Sequence, residues 1–286
     1  MIFYCHLAFK NLPMVRTFNC YTTTEKKRVK QLEFIISAST DIGIKKQTNQ
    51  DSLTVKRIDT PAGKMVLAVL CDGMGGLSNG EVASASLIRA FEKWLYEDFV
   101  LAFENSFDIN SVTQAWNEIV VEMNKKIQQY GQEHNISLGT TVTAMLITEN
   151  QYCILNVGDS RVYELSDNLY QITNDQTLVA KEVSEGKLTP QEAETDPRRS
   201  VLLQCCGAST EVVPEFHYGQ TKKDTVFLLC SDGFRHQISP EEIYLMFDPS
   251  RLIDETTMKN SIDYLIELNK QRLENDNISA ILIRSF

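Results

Sequence analysis

Six apolar segments of strand length recur along the chain and limit the folds that are open to it. Each is rich in Val, Ile and Leu, and several are nearly continuous rather than alternating in polarity. Such runs are typical of strands covered on both faces, and the Gly, Asn and Asp residues at their ends favour strands over buried helical turns. The predicted strands are Leu32–Ala38, Met65–Cys71, Thr141–Ile147, Tyr152–Val157, Val226–Cys230 and Ile278–Ile283.

Three amphipathic stretches predict helices between these strands. Apolar residues recur at helical spacing in Glu81–Phe99, Ser111–Tyr130 and about Glu255–Leu273. The tetrapeptides "TPQE" from Thr189 and "SPEE" from Ser239 are capping boxes that begin two further helices. Because the helices are grouped between blocks of strands, we predict an α+β fold rather than alternating βαβ units.

The chain contains no internal repeat or Gly/Ser linker, so we predict a single domain over residues 31–286. Residues 1–30 show no clean period. This leader is either loosely packed or disordered, or the chain begins at Met14 instead. The polar region Leu178–Arg199 is predicted to be a small helical insertion over an edge of the sheet.

Charge and composition exclude several classes of function. The formal net charge of −10 disfavours binding to nucleic acid, whose phosphates an acidic chain repels. No apolar stretch is long enough for a membrane span, and the N-terminus lacks the pattern of a signal peptide. The seven cysteines form no C-x-x-C pair, which favours reduced thiols in a core. We therefore expect a cytoplasmic monomer that binds neither nucleic acid nor membrane.

Aspartates recur at the ends of the predicted strands. A single Asp at such a position is ordinary turn chemistry, because its side chain accepts hydrogen bonds from nearby backbone amides. Several carboxylates that share one small volume cannot all ionise unless a cation compensates them. The aspartates in question are Asp51, Asp72, Asp159, Asp232 and Asp276.

The donor types in this set indicate a hard cation. Carboxylate and carbonyl oxygens select Mg²⁺, Mn²⁺ or Ca²⁺, and the four histidines lack the spacing of zinc ligands. Two such ions a few ångströms apart can share an acidified water and clamp a phosphate. The segment "CDGMGG" best suits the centre of such a site: Asp72 would bridge the ions, and Gly73 lets a backbone carbonyl approach. Gly75 and Gly76 would let the chain turn into the next helix.

A series of motifs identifies the family that the chain resembles. In order they are "TDIGIKKQTNQDS", "AVLCDGMGGLSNGEVAS", "LGTTVTAMLI", "LNVGDSRVYEL", "ITNDQTLV", "LLCSDGF" and "NDNISAILI". They resemble the metal-dependent Ser/Thr protein phosphatases of type 2C (PPM) in their compact bacterial form, over about Phe34 to Ile283. The resemblance implies two antiparallel β-sheets in a sandwich flanked by pairs of antiparallel helices. The insertion at about 178–199 would be a helical flap beside a metal site.

The resemblance also implies roles for particular residues. Two divalent cations, Mn²⁺ or Mg²⁺, are expected, with Asp72 bridging both and the Gly73 carbonyl binding one. Asp232 and Asp276 would complete one ion's ligands, and Asp51 would hold the other ion directly or through water. A third, weaker ion is expected between Asp159 and Asp232.

Four positions depart from the family pattern. Lys46 stands where an Arg usually clamps the substrate phosphate, and it keeps the charge but loses the bidentate fork; the adjacent Lys45 competes for this assignment. Gln50 replaces a frequent acidic residue, Met74 replaces a His of eukaryotic relatives, and Gln176 replaces a frequent His. The sequence offers no physical reason for Gln176.

The resemblance implies hydrolysis of phosphoserine and phosphothreonine on proteins, the targets of a Ser/Thr kinase. A hydroxide bridging two ions would attack phosphorus in line, without a phosphoenzyme. An alternative is a catalytically silent relative that binds phosphoproteins as a sensor, although the intact aspartates argue against it. A phosphotransferase with an aspartyl nucleophile is a second alternative. It would need two Asp residues two positions apart at a strand end, and "CDGMGG" lacks the second Asp. A phosphatase that uses Cys205 or Cys206 as its nucleophile is disfavoured, because the sequence around them lacks a phosphate-binding loop.

Overall fold

The computed structural model describes residues 32–60, 63–74, 79–99 and 108–286. The leader at residues 1–30, together with Gly75 and Gly76, lies outside the described residues, so the expectations for them stay predictions. Within the described ranges, no helix combines the length and the apolar character needed to cross a bilayer. The five cysteines in these ranges are buried and unpaired, as the sequence predicted.

Two five-stranded sheets form the centre of the fold, and every strand pair in them is antiparallel. The first sheet contains, in spatial order, β1 (Phe34–Asp41), β12 (Ile278–Ser285), β11 (Thr225–Cys230), β8 (Arg161–Leu165) and β9 (Leu169–Gln171). The second contains β10 (Glu215–Gln220), β7 (Gln151–Val157), β6 (Val142–Thr148), β3 (Gly63–Cys71) and β2 (Ser52–Thr60). A short ribbon pairs β4 (Gly73–Met74) with β5 (Gly139–Thr140).

Helices cover the outer faces of both sheets. The helices are α1 (Gly80–Trp94), α2 (Ile109–His134), α3 (Leu178–Ser184), α4 (Pro190–Thr195), α5 (Asp232–Arg235), α6 (Pro240–Phe247) and α7 (Glu255–Gln271). One π-helical turn, Leu95–Phe99, continues α1. The pair α1 and α2 packs on the second sheet, and α6 and α7 pack on the first. The predicted α+β sandwich between helix pairs is confirmed.

Three apolar clusters explain why the central strands are apolar on both faces. Val66 and Leu70 of β3 point into the cluster between the sheets. Leu67 and Val69 alternate with them and point toward α1 and α2, where they join a cluster that contains the fully buried Trp116. The third cluster lies between the first sheet and α6 and α7. Because both faces of a central strand are covered, period-two alternation in polarity disappears from its sequence.

All six predicted strands are present, with ends shifted by three residues at most. The sequence did not predict β2, β8, β9 or β10, because they are short or mix exposed and buried positions. The first helix keeps regular α geometry only to Trp94, not to Phe99 as predicted. The insertion Leu178–Arg199 contains α3 and α4, and both predicted capping boxes are present at Thr189 and Ser239.

The two capping boxes allow a matched test of packing. Ser239 caps α6, which buries Ile243 and Phe247, whereas Thr189 caps α4, which buries no residue. We expect Ser239→Ala to lower the free energy of unfolding by about 1 kcal/mol, the usual cost of a lost N-cap. Thr189→Ala should change it by less than about 0.5 kcal/mol, because α4 frays without exposing a core. Urea unfolding measures both, and equal losses would contradict this view of the insertion.

Candidate metal centre

The strand ends gather the five predicted aspartates at one end of the sandwich. Asp51 precedes β2 and Asp72 follows β3, and the pairing of Ser52 with Cys71 places them side by side. In the other sheet Asp232 follows β11 and Asp276 precedes β12, which are neighbouring antiparallel strands. Asp159 lies in the turn from β7 to β8, and β8 pairs with β11 next to Asp232.

The backbone of Asp72 is fixed by two threonines of the "LGTT" motif. Its N–H donates to Thr141 Oγ1 at 2.9 Å. Its carbonyl oxygen accepts from Thr141 N–H at 2.9 Å and from Thr140 Oγ1 at 3.0 Å. Because the main chain is satisfied by these partners, the carboxylate of Asp72 remains available to a ligand.

Gly73 is required because two backbone segments approach it closely. A Cβ at this position would lie 2.4 Å from the Gly80 carbonyl oxygen and 2.5 Å from that of Gln50. The Gly73 N–H donates to the same Gln50 oxygen at 3.2 Å, and Ser84 Oγ donates to it at 2.6 Å. Only glycine therefore allows β4 to pass between α1 and the segment that carries Asp51.

Asn277 holds together the loops on the other side of the site. Its Oδ1 accepts from Gln50 N–H at 2.9 Å, and its Nδ2 donates to the carbonyls of Ile42 at 2.9 Å and Thr48 at 3.3 Å. A Cβ on Gly233 would lie 2.1 Å from the Asn277 carbonyl oxygen, so the start of α5 packs directly against this residue. The turn at 42–50 is thus attached to the residue next to Asp276.

Burial and like charges make Asp51, Asp72 and Asp159 reluctant to ionise. Burial raises the pKa of Asp72 well above its usual range, and the charges of Asp51 and Asp232 raise it further. Burial, with the charge of Asp232, raises the pKa of Asp51 to about 7. The pKa of Asp159 is also raised to about 7, first by burial and then by Asp232. A cation at this end would relieve these costs.

Asp51 supplies the observation that tests whether a cation fits. Both of its carboxylate oxygens are buried, and neither has a hydrogen-bond partner among the residues that the structure describes. The hydroxyls of Ser279 and Ser231 lie near enough to lower its pKa, but the Ser279 hydroxyl pairs with Thr40 Oγ1 at 2.8 Å and the Ser231 hydroxyl donates to the Ser279 carbonyl at 3.5 Å. A buried carboxylate without donors needs a positive partner. The site therefore suits an oxygen-bound divalent cation.

Lys46 forms an ion pair with Asp276, one of the predicted metal ligands. Its Nζ lies 2.7 Å from Asp276 Oδ1, which also accepts from Asn277 N–H at 2.8 Å. Lys45 and Lys46 are both exposed to solvent, and Lys46 is the one that pairs with an aspartate of the cluster. In the part of the chain that the structure describes, no three Asp, Glu, His or Cys side chains form a group ready to hold a metal ion.

Three polar residues that the sequence analysis did not assign, Arg235, His236 and Glu274, lie around the aspartates. Arg235 donates to the Asp159 carbonyl at 3.1 Å and lies 3.6 Å from Asp159 Oδ2. His236 lies 3.5 Å from Asp232 and 3.6 Å from Glu274. The four-residue separation of Asp232 and His236 was a possible signal, but only once α5 was known to be helical.

Gln176 now has a structural explanation. Its Oε1 accepts from Gly158 N–H at 2.8 Å and from Gln204 Nε2 at 2.9 Å, and its Nε2 donates to the Asn156 carbonyl at 3.3 Å. Gly158 precedes Asp159, so this amide fixes the turn that carries the carboxylate.

Comparison with known sequences finds phosphatases of type 2C. The family model described as protein phosphatase 2C matches residues 43–282. A putative protein phosphatase 2C-type from Streptococcus pyogenes is 29% identical over 253 residues, which are 87% of this chain and 97% of the relative. Protein phosphatase PhpP from Streptococcus pneumoniae is 32% identical over 212 residues, which are 73% of this chain and 82% of the relative.

Comparison with solved structures also finds serine/threonine phosphatases. The S. agalactiae serine/threonine phosphatase has a TM-score of 0.77 at 27% identity, covering 88% of this chain and 99% of that one. The catalytic domain of PstP, solved with two manganese ions, has a TM-score of 0.70 at 30% identity, covering 89% of this chain and 99% of that one.

The raised carboxyl pKa values predict how stability of the metal-free protein depends on pH. The folded protein holds protons on Asp51 that the unfolded chain has lost, so stability falls as pH rises from about 4 to about 7. Asp51→Asn should flatten this fall and raise Tm at about pH 8 by about 2 °C or more. Thermal unfolding of the wild type and of Asp51→Asn in the presence of a chelator, at several pH values, measures this difference in Tm.

The same samples supply the control. Asp98→Asn makes the same change at an exposed site beyond the far end of α1, and should follow the wild type at every pH. Added Mn²⁺ should raise the Tm of wild type and of Asp98→Asn more than that of Asp51→Asn. A steeper pH dependence in Asp51→Asn than in wild type would contradict the assignment.

Proposed function

The chain belongs to the protein phosphatase 2C family, and we infer that it is a metal-dependent enzyme that removes phosphate from phosphoserine and phosphothreonine of proteins. The observation that carries this inference is the carboxylate cluster at the strand ends, whose members stand at the family's motif positions. Its buried member Asp51 has no hydrogen-bond donor to its carboxylate within the described part of the chain. No observation favours the silent relative, because every predicted ligand is present at the strand ends.

We propose that Asp72 bridges two divalent cations and that the Gly73 carbonyl binds one of them. Asp232 and Asp276 would complete the ligands of one ion, and Asp51 would hold the other. Mn²⁺ and Mg²⁺ both take oxygen donors, and the two manganese ions of the PstP structure support Mn²⁺. Such ions supply an acidified water and a positive clamp for phosphate oxygens.

Residues around the cluster would orient the substrate and position the ligands. The ammonium of Lys46 faces the carboxylate cluster, where it would neutralise a phosphate oxygen. Arg235 and Gln176 hold the turn of Asp159, which we propose as a ligand of a third, weaker ion together with Asp232. The buried backbone of Asp72 keeps its carboxylate in place while the substrate enters and leaves.

We propose that the substrates are cytoplasmic proteins phosphorylated by a Ser/Thr kinase, and that the enzyme works as a monomer without nucleic acid or membrane. The insertion Leu178–Arg199 would act as a flap that influences the choice of substrate. It joins the site through Leu178, whose N–H donates to the Val201 carbonyl at 2.8 Å, and through Leu203, whose N–H donates to the Gln176 carbonyl at 2.8 Å.

Phosphate release from a phosphothreonine peptide tests the function. We expect turnover that requires Mn²⁺ or Mg²⁺ and stops with chelator. Asp232→Asn should lower kcat by about 100-fold or more, because it removes a carboxylate from the proposed ligand set. Asp98→Asn is the matched control and should keep full activity. If wild type released no more phosphate than Asp232→Asn at saturating Mn²⁺, the silent relative would be the better account.

A further inference from the structure

Lys46 forms an ion pair with a carboxylate that the proposed function assigns to a metal. Its Nζ lies 2.7 Å from Asp276 Oδ1, and both side chains are only partly exposed, at 39% and 37%. We propose that Lys46 is the built-in counter-ion of the metal-free site: it occupies Asp276 until a divalent cation displaces it, and the freed ammonium then takes the substrate phosphate. This inference rests on the metal ligands proposed above.

The charge balance of the site gives Lys46 this role. Five aspartates meet at one end of the sandwich, and such a cluster needs positive charge to keep its carboxylates ionised. Arg235 supplies one such charge, but it is shared between Asp159 at 3.6 Å and Asp175 at 3.5 Å. Lys46 supplies another, and its contact is with Asp276. The cation that neutralises Asp276 is therefore part of the chain itself.

The attachment of the turn at 42–50 keeps the lysine within reach of both partners. Asn277, the residue after Asp276, accepts from Gln50 N–H and donates to the carbonyls of Ile42 and Thr48. The backbone turn that carries Lys46 is thus attached to Asn277, the residue next to its ion-pair partner Asp276. Only the flexible side chain has to move, which a partly exposed lysine does at little cost.

The exchange has a thermodynamic consequence for metal binding. A cation that uses Asp276 must first break the pair with Lys46, so the lysine weakens metal binding while it stabilises the metal-free protein. A lysine that served only the phosphate would weaken metal binding no more than the neighbouring Lys45 does, by through-space repulsion alone. A Lys46 variant without charge therefore separates the two roles by the size of its effect on metal binding relative to the same change at Lys45.

Isothermal titration of the metal-stripped protein with Mn²⁺ alone tests the proposal. Lys46→Met keeps most of the length of the side chain but removes its charge, and it should bind Mn²⁺ about threefold to tenfold more tightly than wild type. Lys46→Arg keeps the charge and should bind Mn²⁺ no more tightly than wild type. Lys45→Met removes the same charge from the same turn and should stay within about twofold of wild type.

Thermal unfolding and kinetics give independent readouts. Metal-free Lys46→Met should have a lower Tm than metal-free wild type, and saturating Mn²⁺ should reduce that difference. With Mn²⁺ saturating, its KM for the phosphopeptide should rise, because the phosphate loses its lysine. Unchanged or weaker Mn²⁺ binding by Lys46→Met would overturn the proposal even if KM rises. If Lys46→Met bound Mn²⁺ more tightly but the wild type had no phosphatase activity, the counter-ion role of Lys46 would be upheld and only the proposed function would be rejected.

Discussion

The gathering of carboxylates at one end of the sandwich is the constraint on which the rest of the site depends. Asp51 and Asp159 are almost fully buried, and burial together with their neighbours raises the pKa of each to about 7. Such an arrangement is unfavourable by itself and persists only if the surrounding structure holds it. The contacts around Asp72, Gly73 and Asn277 provide this restraint, since they join segments from both sheets.

The sandwich supplies the stability that such a cluster requires. Each central strand contributes apolar side chains to two of the three cores, as Val66 and Leu67 of β3 do on opposite faces. Antiparallel register then fixes where each strand ends, and so which carboxylates meet. The position of Asp51 beside Asp72 follows from the pairing of Ser52 with Cys71. The apolar cores therefore fix the strands, and the ends of the strands determine which carboxylates lie together.

The sequence predicted those features that depend on local pattern. The six strands with two covered faces were recognisable from continuous apolar runs. In contrast, β2 was missed because exposed and buried positions mix along it, and β10 was missed because none of its positions is buried. The aspartates were found because each stands at the end of a strand. Glu274 and Arg235 were not, because the contact of Glu274 with His236 and that of Arg235 with Asp159 depend on how α5 packs. Lys46 came from family resemblance, and its pairing with Asp276 required the structure.

The replacement of a usual arginine by Lys46 gains a physical meaning from that pairing. A guanidinium presents a rigid fork that matches a carboxylate or a phosphate bidentately, so it would hold Asp276 more firmly. An ammonium is a compact charge whose donors rotate and form no fixed fork, and Lys46 Nζ lies 2.7 Å from Asp276 Oδ1. It can therefore leave a carboxylate for a phosphate with a smaller loss of hydrogen bonds. In the proposed site, the substitution that would weaken the grip on phosphate is the same one that would make the counter-ion easier to displace.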